Sequence, residues 1–355
     1  LHDVMHLDIQ RFVTEFCDTM KDREVVKMIL RGGSQYLGPY NLNQMYEHRP
    51  SFIQPCKEQQ IIAFKNVYVT ITPTNIETRP ISELPGDVWS KQVIPFDFEY
   101  NGEPMLKVAL KDGKWQVGES KHAKKCEMLD YIKVTSNMNW EKEYTLVKTS
   151  NTTQEYVEKD DTAKENYTEQ EIADWKMHIV TKLIALGYKL RDYRFMNDMR
   201  AIVCMDGLET AVGRSQGGTG KSIFAMCTTH MHETFTIDGK NCDLKNDRFL
   251  YHGVDERTKE IIFDDVRVNF DFEMLFSQIT NFIRVKPFQG APITIPSPVY
   301  TITTNHALRG EDTSFKRRQY TVAFSNFFNA NRTPAHYFGH QLFHDWDKEQ
   351  WNSYY

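Results

Sequence analysis

Residues 215–222 read Ser-Gln-Gly-Gly-Thr-Gly-Lys-Ser, and no other stretch constrains the architecture of the chain as tightly. A loop that wraps a phosphate closely needs glycine wherever a Cβ would bar the backbone, and its N–H groups then point at phosphate oxygens. The helix that follows such a loop adds the positive end of its dipole. Within Gly217, Gly218, Thr219, Gly220, Lys221 and Ser222, this chemistry assigns Lys221 to the β- and γ-phosphates and the Ser222 hydroxyl to Mg²⁺. The first position departs from the full phosphate-loop motif, because Ser215 stands where glycine is usual; Gly213, Gly217 and Gly218 lie close by. A loop of this kind joins a buried strand to a helix, so the expected fold is α/β with a central parallel sheet.

The downstream sequence agrees. Ile-Phe-Ala-Met after Ser222 opens a helix, and Glu260-Ile-Ile-Phe-Asp-Asp-Val266 is a short apolar run ending in two acids. Buried parallel strands look like this, and acids at their C-terminal ends fall in the crevice where ligands of open α/β sheets bind. One of Asp264 and Asp265 would hold Mg²⁺ through a water while the other polarises an attacking water. Pro298-Val-Tyr-Thr-Ile-Thr-Thr-Asn305 reads as a strand ending in an amide that both donates and accepts, suited to a γ-phosphate or a lytic water. Phe315-Lys-Arg-Arg318 precedes another β run; Arg317 or Arg318 there can reach a neighbouring subunit's phosphate, although a surface basic pair is the simpler reading of the two alone. Residues 283–295 read as a hairpin with Phe288-Gln289-Gly290 at its turn. Its Arg284, Lys286 and Phe288 suit contacts to the backbone and bases of a single strand; the plainer reading is a hairpin that packs between subunits.

Composition sets the frame for these motifs. The chain has 355 residues, 40% hydrophobic and 26% charged, which is ordinary for globular protein and long enough for two or three domains. No stretch approaches the roughly 18 uninterrupted apolar residues of a membrane helix. Six scattered cysteines without C-x-x-C spacing read as reduced core thiols of an intracellular protein. The net charge of −5 carries no global nucleic-acid signature, but a ring can confine positive charge to its pore. Leu1 follows no initiator methionine, so a fragment of something longer is expected.

The expected organisation is an N-terminal α+β accessory domain over 1–150, a linker over 151–168, a helical segment over 169–205, the ATPase core over 206–330 and a helical tail over 331–355. Periodic apolar residues predict helix over 1–30, ended by Gly32-Gly33, and β structure over 60–100. Thr168-Glu-Gln-Glu171 is a capping box opening a helix with Ile172, Trp175, Ile179, Leu183 and Leu186 on one face. More helix is expected through Tyr193, Met196 and Met199 to Met205. Strands are expected near 208–213, 234–237, 260–265, 299–303 and 320–324. Lys121, Lys124 and Lys125 with His122 read as a solvated face. His336, His340 and His344, spaced four apart, offer a rival zinc site if one helix carries them; the apolar residues between them favour a packing helix.

Taken in order, the phosphate loop, the acid pair, the hairpin, the strand ending at Asn305 and the Arg pair resemble the superfamily 3 helicases of the AAA+ class, motors of small DNA viruses, phages and mobile elements. The resemblance covers about 200–330, more loosely 165–345, and the phosphate loop looks most like that of phage and poxvirus-type primase-helicases. It implies an AAA+-like core that binds ATP and Mg²⁺ and forms a homo-hexameric ring with ATP sites between subunits. It further implies 3′→5′ translocation and a hairpin gripping single-stranded DNA in the pore. Carried over, Lys221 and Ser222 bind phosphate and Mg²⁺, Asp264 and Asp265 handle metal and water, Asn305 is the sensor, Arg317 or Arg318 is the finger, and Lys286 and Phe288 line the pore. The implied function is an ATP-dependent DNA helicase in phage or mobile-element replication, the helicase part of a primase-helicase. A primase or polymerase domain is then expected in cis or trans, and the compartment would be the cytoplasm of a bacterial host. The alternative is a replication initiator or assembly platform that oligomerises on DNA without processive unwinding, which the low basic content of the hairpin keeps open. A packaging motor would bring a nuclease domain, and the chain shows none.

Overall fold

The computed structural model describes residues 6–19, 22–36, 38–42, 50–149, 154–195, 198–207, 217–286, 291–308, 310 and 312–355. Helices α1 (His6–Thr19), α2 (Arg23–Tyr36) and the single turn α3 (Pro39–Leu42) open the chain. α2 runs through Gly32 and Gly33, where the sequence predicts its end; glycine inside a helix costs only about 1 kcal/mol relative to alanine. The β-rich stretch forms an antiparallel sheet of β1 (Gln60–Ala63), β2 (Val67–Ile71) and β3 (Ile76–Pro80). The hairpin β4 (Leu106–Lys111) and β5 (Lys114–Glu119), helix α4 (Glu127–Ser136), the hairpin β6 (Tyr144–Lys148) and β7 (Gln154–Glu158), and helix α5 (Glu169–Leu190) follow. β6 and β7 pair across residue 150, so the expected boundary there and the expected linker do not coincide with a break in the structure. Tyr144 and Tyr156 of this hairpin pack with Trp140 and Phe327 around the Arg332 guanidinium.

The core begins with β8 (Ala201–Asp206). This corrects the expected helix through Met205. An apolar run this short fits a buried strand as well as a helix, and pairing on both sides settles it as a strand. Residues 208–213 lie outside the described residues. Then come α6 (Lys221–Met226), β9 (Thr234–Asp238), β10 (Glu260–Val266), α7 (Phe276–Thr280), β11 (Phe282–Val285), β12 (Ile293–Pro296), β13 (Val299–Thr304), α8 (Thr313–Arg317), β14 (Gln319–Phe324), α9 (Pro334–Phe338) and α10 (Lys348–Tyr354). The other four expected strands are therefore present.

Five strands form one sheet in the order β14-β8-β13-β10-β9, every pair parallel. β13 is buried along its whole length and β10 and β8 nearly so, as sheets covered on both faces require. One core joins α4, α5 and α6 to the sheet through Met128, Tyr131, Ile179, Phe224 and Phe324. The other joins Ile261, Phe263 and Tyr300 to Phe272, Leu275, Ile283 and Phe315. This is an α/β core of the P-loop NTPase kind, with small antiparallel sheets attached. α4 lies in the stretch expected as an accessory domain, yet it belongs to the first core.

α5 has the predicted cap: the Thr168 hydroxyl accepts from Glu171 N at 3.2 Å and the Glu171 carboxylate accepts from Thr168 N at 2.7 Å. Its buried face differs from the predicted apolar stripe, because Lys182 and, in the last turn, Lys189 are fully buried on it. Lys189 donates to the carbonyls of Phe224 (3.2 Å) and Ala225 (2.8 Å), near the end of α6, and pairs with Glu260 at 3.1 Å. The Thr228 hydroxyl (2.6 Å) and the Thr301 hydroxyl also donate to Glu260, and His232 lies 3.2 Å away. Burial alone would raise the Glu260 carboxyl; Lys189, His232 and Thr228 outweigh it and hold it at about 2. Burial has no such counterweight at Lys182, whose pKa falls to about 7 while its ammonium faces Thr135 O, Ser136 Oγ and Ala323 O.

The tail is less helical than expected. α9 ends at Phe338, with Gly339 left-handed, so the three histidines do not share a helix. His340 bonds Glu127 at 2.9 Å, His336 and His344 are exposed, and no cluster of three potential metal ligands occurs among the described residues. No described helix is long and apolar enough to cross a membrane.

Candidate functional site

All five strands run the same way, so their C-terminal ends gather the loops that carry the predicted residues. Gly218 (φ 90°) and Gly220 (φ 95°) both take the left-handed conformation that favours glycine. Gly220 is required on a second count: an added Cβ would lie 2.9 Å from the Tyr131 hydroxyl, which donates to Gly220 O at 2.7 Å. Tyr131, on α4, thus braces the loop from behind. Ser215 lies outside the described residues.

Lys221 turns inward. Its Nζ is 2.6 Å from Asp206 Oδ1 and 3.0 Å from Thr219 Oγ1, and Thr219 Oγ1 donates to the same Asp206 oxygen at 2.8 Å. Asp206 was not among the predicted residues, although it ends an apolar strand just as Asp264 does. The Ser222 hydroxyl donates to Asp264 Oδ1 at 2.8 Å, and Thr303 Oγ1 donates to the same atom at 2.7 Å. Lys221, Ser222 and Asp264 line one cavity, with Ser222 bonded to Asp264 and the Lys221 ammonium held by Asp206 and Thr219.

Adjacent residues of a flat strand point to opposite faces, which would separate Asp264 from Asp265. The chain avoids this with a bulge: Phe263 pairs with Ile302 but Val266 pairs with Thr304, so β10 carries one extra residue. Asp265 takes φ 55° within it, and its carboxylate meets Asn305 Nδ2 at 2.9 Å and the Lys240 ammonium. The hydrogen bond and charge of Asp265 raise the Lys240 pKa above its ordinary value. Lys240, just past β9, carried no sequence signal. A cavity of about 330 Å³ opens between Gly217–Ser222, Asp264, Asp265, Thr303, Asn305 and Pro334.

Two predicted groups lie away from this cavity. Gln319 pairs with Ala201, at the opposite end of β8 from Asp206, so Arg317 and Arg318 sit at the far edge of the sheet. Five residue steps at about 3.3 Å put that edge roughly 17 Å from the cavity end, beyond the reach of an arginine side chain. Arg318 packs over Phe276, 4.7 Å from the ring centroid, and donates to Ser314 O at 3.1 Å; Arg317 is exposed. In the hairpin, Ile283, Val285 and Ile295 are buried while Phe282, Arg284 and Lys286 share the exposed face. Lys286 Nζ stands 5.6 Å from the ring of Phe249, itself 48% exposed and far away in sequence. Phe288 lies outside the described residues.

No protein-family profile matches the chain, and no curated protein matches it in sequence. Among solved structures it is similar to the A form apo structure of the NrS-1 C-terminal region, at 11% identity and TM-score 0.33, over 84% of this chain and 63% of that one. A second A form apo structure of that region gives 12% identity and TM-score 0.32, over 83% and 63%. JCV helicase, bound to an N-(4-(2-(thiazolo[5,4-c]pyridin-2-yl)phenoxy)phenyl)acetamide, gives 9% and 0.29, over 56% and 46%. The chain spans less than two thirds of each of these chains, and likeness at this level carries no functional argument. The functional reading therefore rests on the site.

Proposed function

We propose that this chain is an ATP-dependent helicase acting on single-stranded DNA as a homo-hexameric ring, the motor part of a phage or mobile-element primase-helicase. One observation carries the reading: Lys221 and Ser222, on a loop with two left-handed glycines, line one cavity of about 330 Å³ together with two carboxylates and an amide. That donor set fits a nucleoside triphosphate with its metal: Lys221 and the loop N–H groups would hold phosphates, and Ser222 with Asp264 would hold Mg²⁺. The bound Mg²⁺ supplies charge neutralisation on the phosphate oxygens. Asp265 accepts the proton of the attacking water, and Asn305, hydrogen-bonded to it, fixes its direction. Thr303 holds Asp264 in line.

The position of the Arg pair supports a shared site. An arginine at the far edge cannot serve its own cavity but can serve a neighbour's, which a ring provides. The exposed face of Phe282, Arg284 and Lys286, extended by Phe249, supports contact with a single strand, where aromatic rings stack on bases and cations meet phosphates. Purified protein should hydrolyse ATP and displace a strand from a forked duplex. Lys221→Ala should abolish turnover, and Asp265→Asn should retain nucleotide binding while losing most hydrolysis. Full ATPase activity in Lys221→Ala would sink the reading. Hydrolysis without strand displacement would favour the assembly-platform alternative.

A further inference from the structure

We propose that Asp206 is a latch on the phosphate loop, whose carboxylate competes with phosphate for the Lys221 ammonium and so weakens nucleotide binding to a working level. The proposal rests on the nucleotide reading above. Asp206, Thr219 and Lys221 form a closed triangle at 2.6, 2.8 and 3.0 Å. The Lys221 and Asp206 side chains are only 7% and 11% exposed, so water screens their attraction weakly. A phosphate that binds this loop needs the same ammonium.

The two partners differ in freedom. Asp206 is the last residue of β8 and pairs with Phe324, and β8 is held between β13 and β14. Its carboxylate is therefore mounted at the end of a central strand of the sheet. Lys221 carries its charge on a flexible four-carbon stem, so Lys221 is the partner that moves. When it turns to a phosphate, Asp206 keeps the Thr219 hydroxyl as a partner but faces an anion with its own negative charge. Lys221 is the only cation among the described residues that line the cavity, and Asp264 and Asp265 line it too. Asp206 adds a third carboxylate behind the loop, and a triphosphate must overcome it.

The test measures affinity and stability together. Asp206→Asn removes the charge and keeps an oxygen for Thr219. Calorimetry with the β,γ-imido analogue of ATP and Mg²⁺ should show binding tightened about tenfold, the order expected when a unit charge a few ångströms from the phosphates is removed from a partly screened site. The melting temperature without nucleotide should fall, because a nearly buried ammonium loses its counter-ion. A purely structural Asp206 would lower stability and affinity alike. Asp206→Ser, a smaller replacement that also lacks the charge, should tighten binding as well, which covers misfolding of the first variant. Wild-type binding that is unchanged or weaker in both Asp206 variants overturns the latch and leaves the nucleotide reading standing. A wild-type protein that binds no analogue overturns both.

Discussion

Replacing Glu260 with glutamine probes the pair that ties α5 to the sheet and to the end of α6. Both side chains are fully buried, with Lys189 Nζ 3.1 Å from Glu260 Oε1. At that separation two unit charges attract by about 5 kcal/mol at an effective dielectric constant of about 20, and desolvation opposes this by a similar amount. The net worth of the pair is therefore small, but breaking it is costly, because Lys189 keeps its charge and loses its partner. The glutamine also turns an NH₂ group toward donors, Lys189 or Thr228. The expected loss is about 3–5 kcal/mol. At about 2–4 °C per kcal/mol, that lowers the melting temperature by roughly 6–20 °C. Lys189→Met should cost less, since Thr228, Thr301 and His232 still serve Glu260. The double variant should be more stable than the sum of the two losses by about 2–3 kcal/mol. Glu260 also sets a pH response. Its folded pKa of about 2 lies below the ordinary 4.5, so its stabilisation is present above about 4.5 and lost as pH falls toward 2. Thermal melts of the four proteins across acid pH supply every quantity. A Glu260→Gln protein within about 1 kcal/mol of wild type, or strictly additive losses, would refute the reasoning.

Lys182 gives the opposite pH response: its folded pKa of about 7 lies below the ordinary 10.5, so the unfolded chain binds the extra proton and stability rises as pH climbs between those values. Lys182→Met should flatten that rise, and urea midpoints of the two proteins at several alkaline pH values check it. Arg317→Ala should leave the melting temperature unchanged and cut ATP turnover about 10³–10⁵-fold, and mixing it with Lys221→Ala protein should restore part of the activity. Arg318→Ala should lower stability by about 1 kcal/mol through its lost packing on Phe276, so equal effects of the two Arg changes on both readouts would contradict the division of roles. Lys286→Ala should lower the salt slope of single-strand binding by about 0.7, and Phe249→Ala should cost about 1–3 kcal/mol of affinity. Unchanged anisotropy titrations across a salt series would remove both residues from the strand's path.

The parts legible in the sequence were those with a local chemical cause. Glycines that must be left-handed, acids at the end of an apolar run and an amide after a β-branched strand each carry their reason within a few residues. What escaped depends on partners distant in sequence. β8 reads as helix until β13 and β14 pair with it. The two buried lysines of α5 look like solvent-facing residues until Glu260 and backbone carbonyls from other elements meet them. Lys240 and Phe249 acquire meaning only from Asp265 and Lys286, which other segments deliver. The bulge at Asp264–Asp265 is hidden for the same reason: two adjacent acids look alike in sequence, whereas aiming both at one cavity takes an extra residue and a left-handed Asp265.

The brace of Tyr131 against Gly220 bears on how the gene can be cut. A deletion series guided by motif spacing would start the minimal ATPase near residue 169, just before α5. That clone would discard α4 with Met128, Tyr131 and Ile132, and Trp140 after it, all buried in the core that α5 and α6 share. The excised product would expose the back of its own loop and a large apolar face, and it should collect in inclusion bodies. A unit that keeps this core whole starts ahead of α4, so any upstream module is fused through a segment that already belongs to the core.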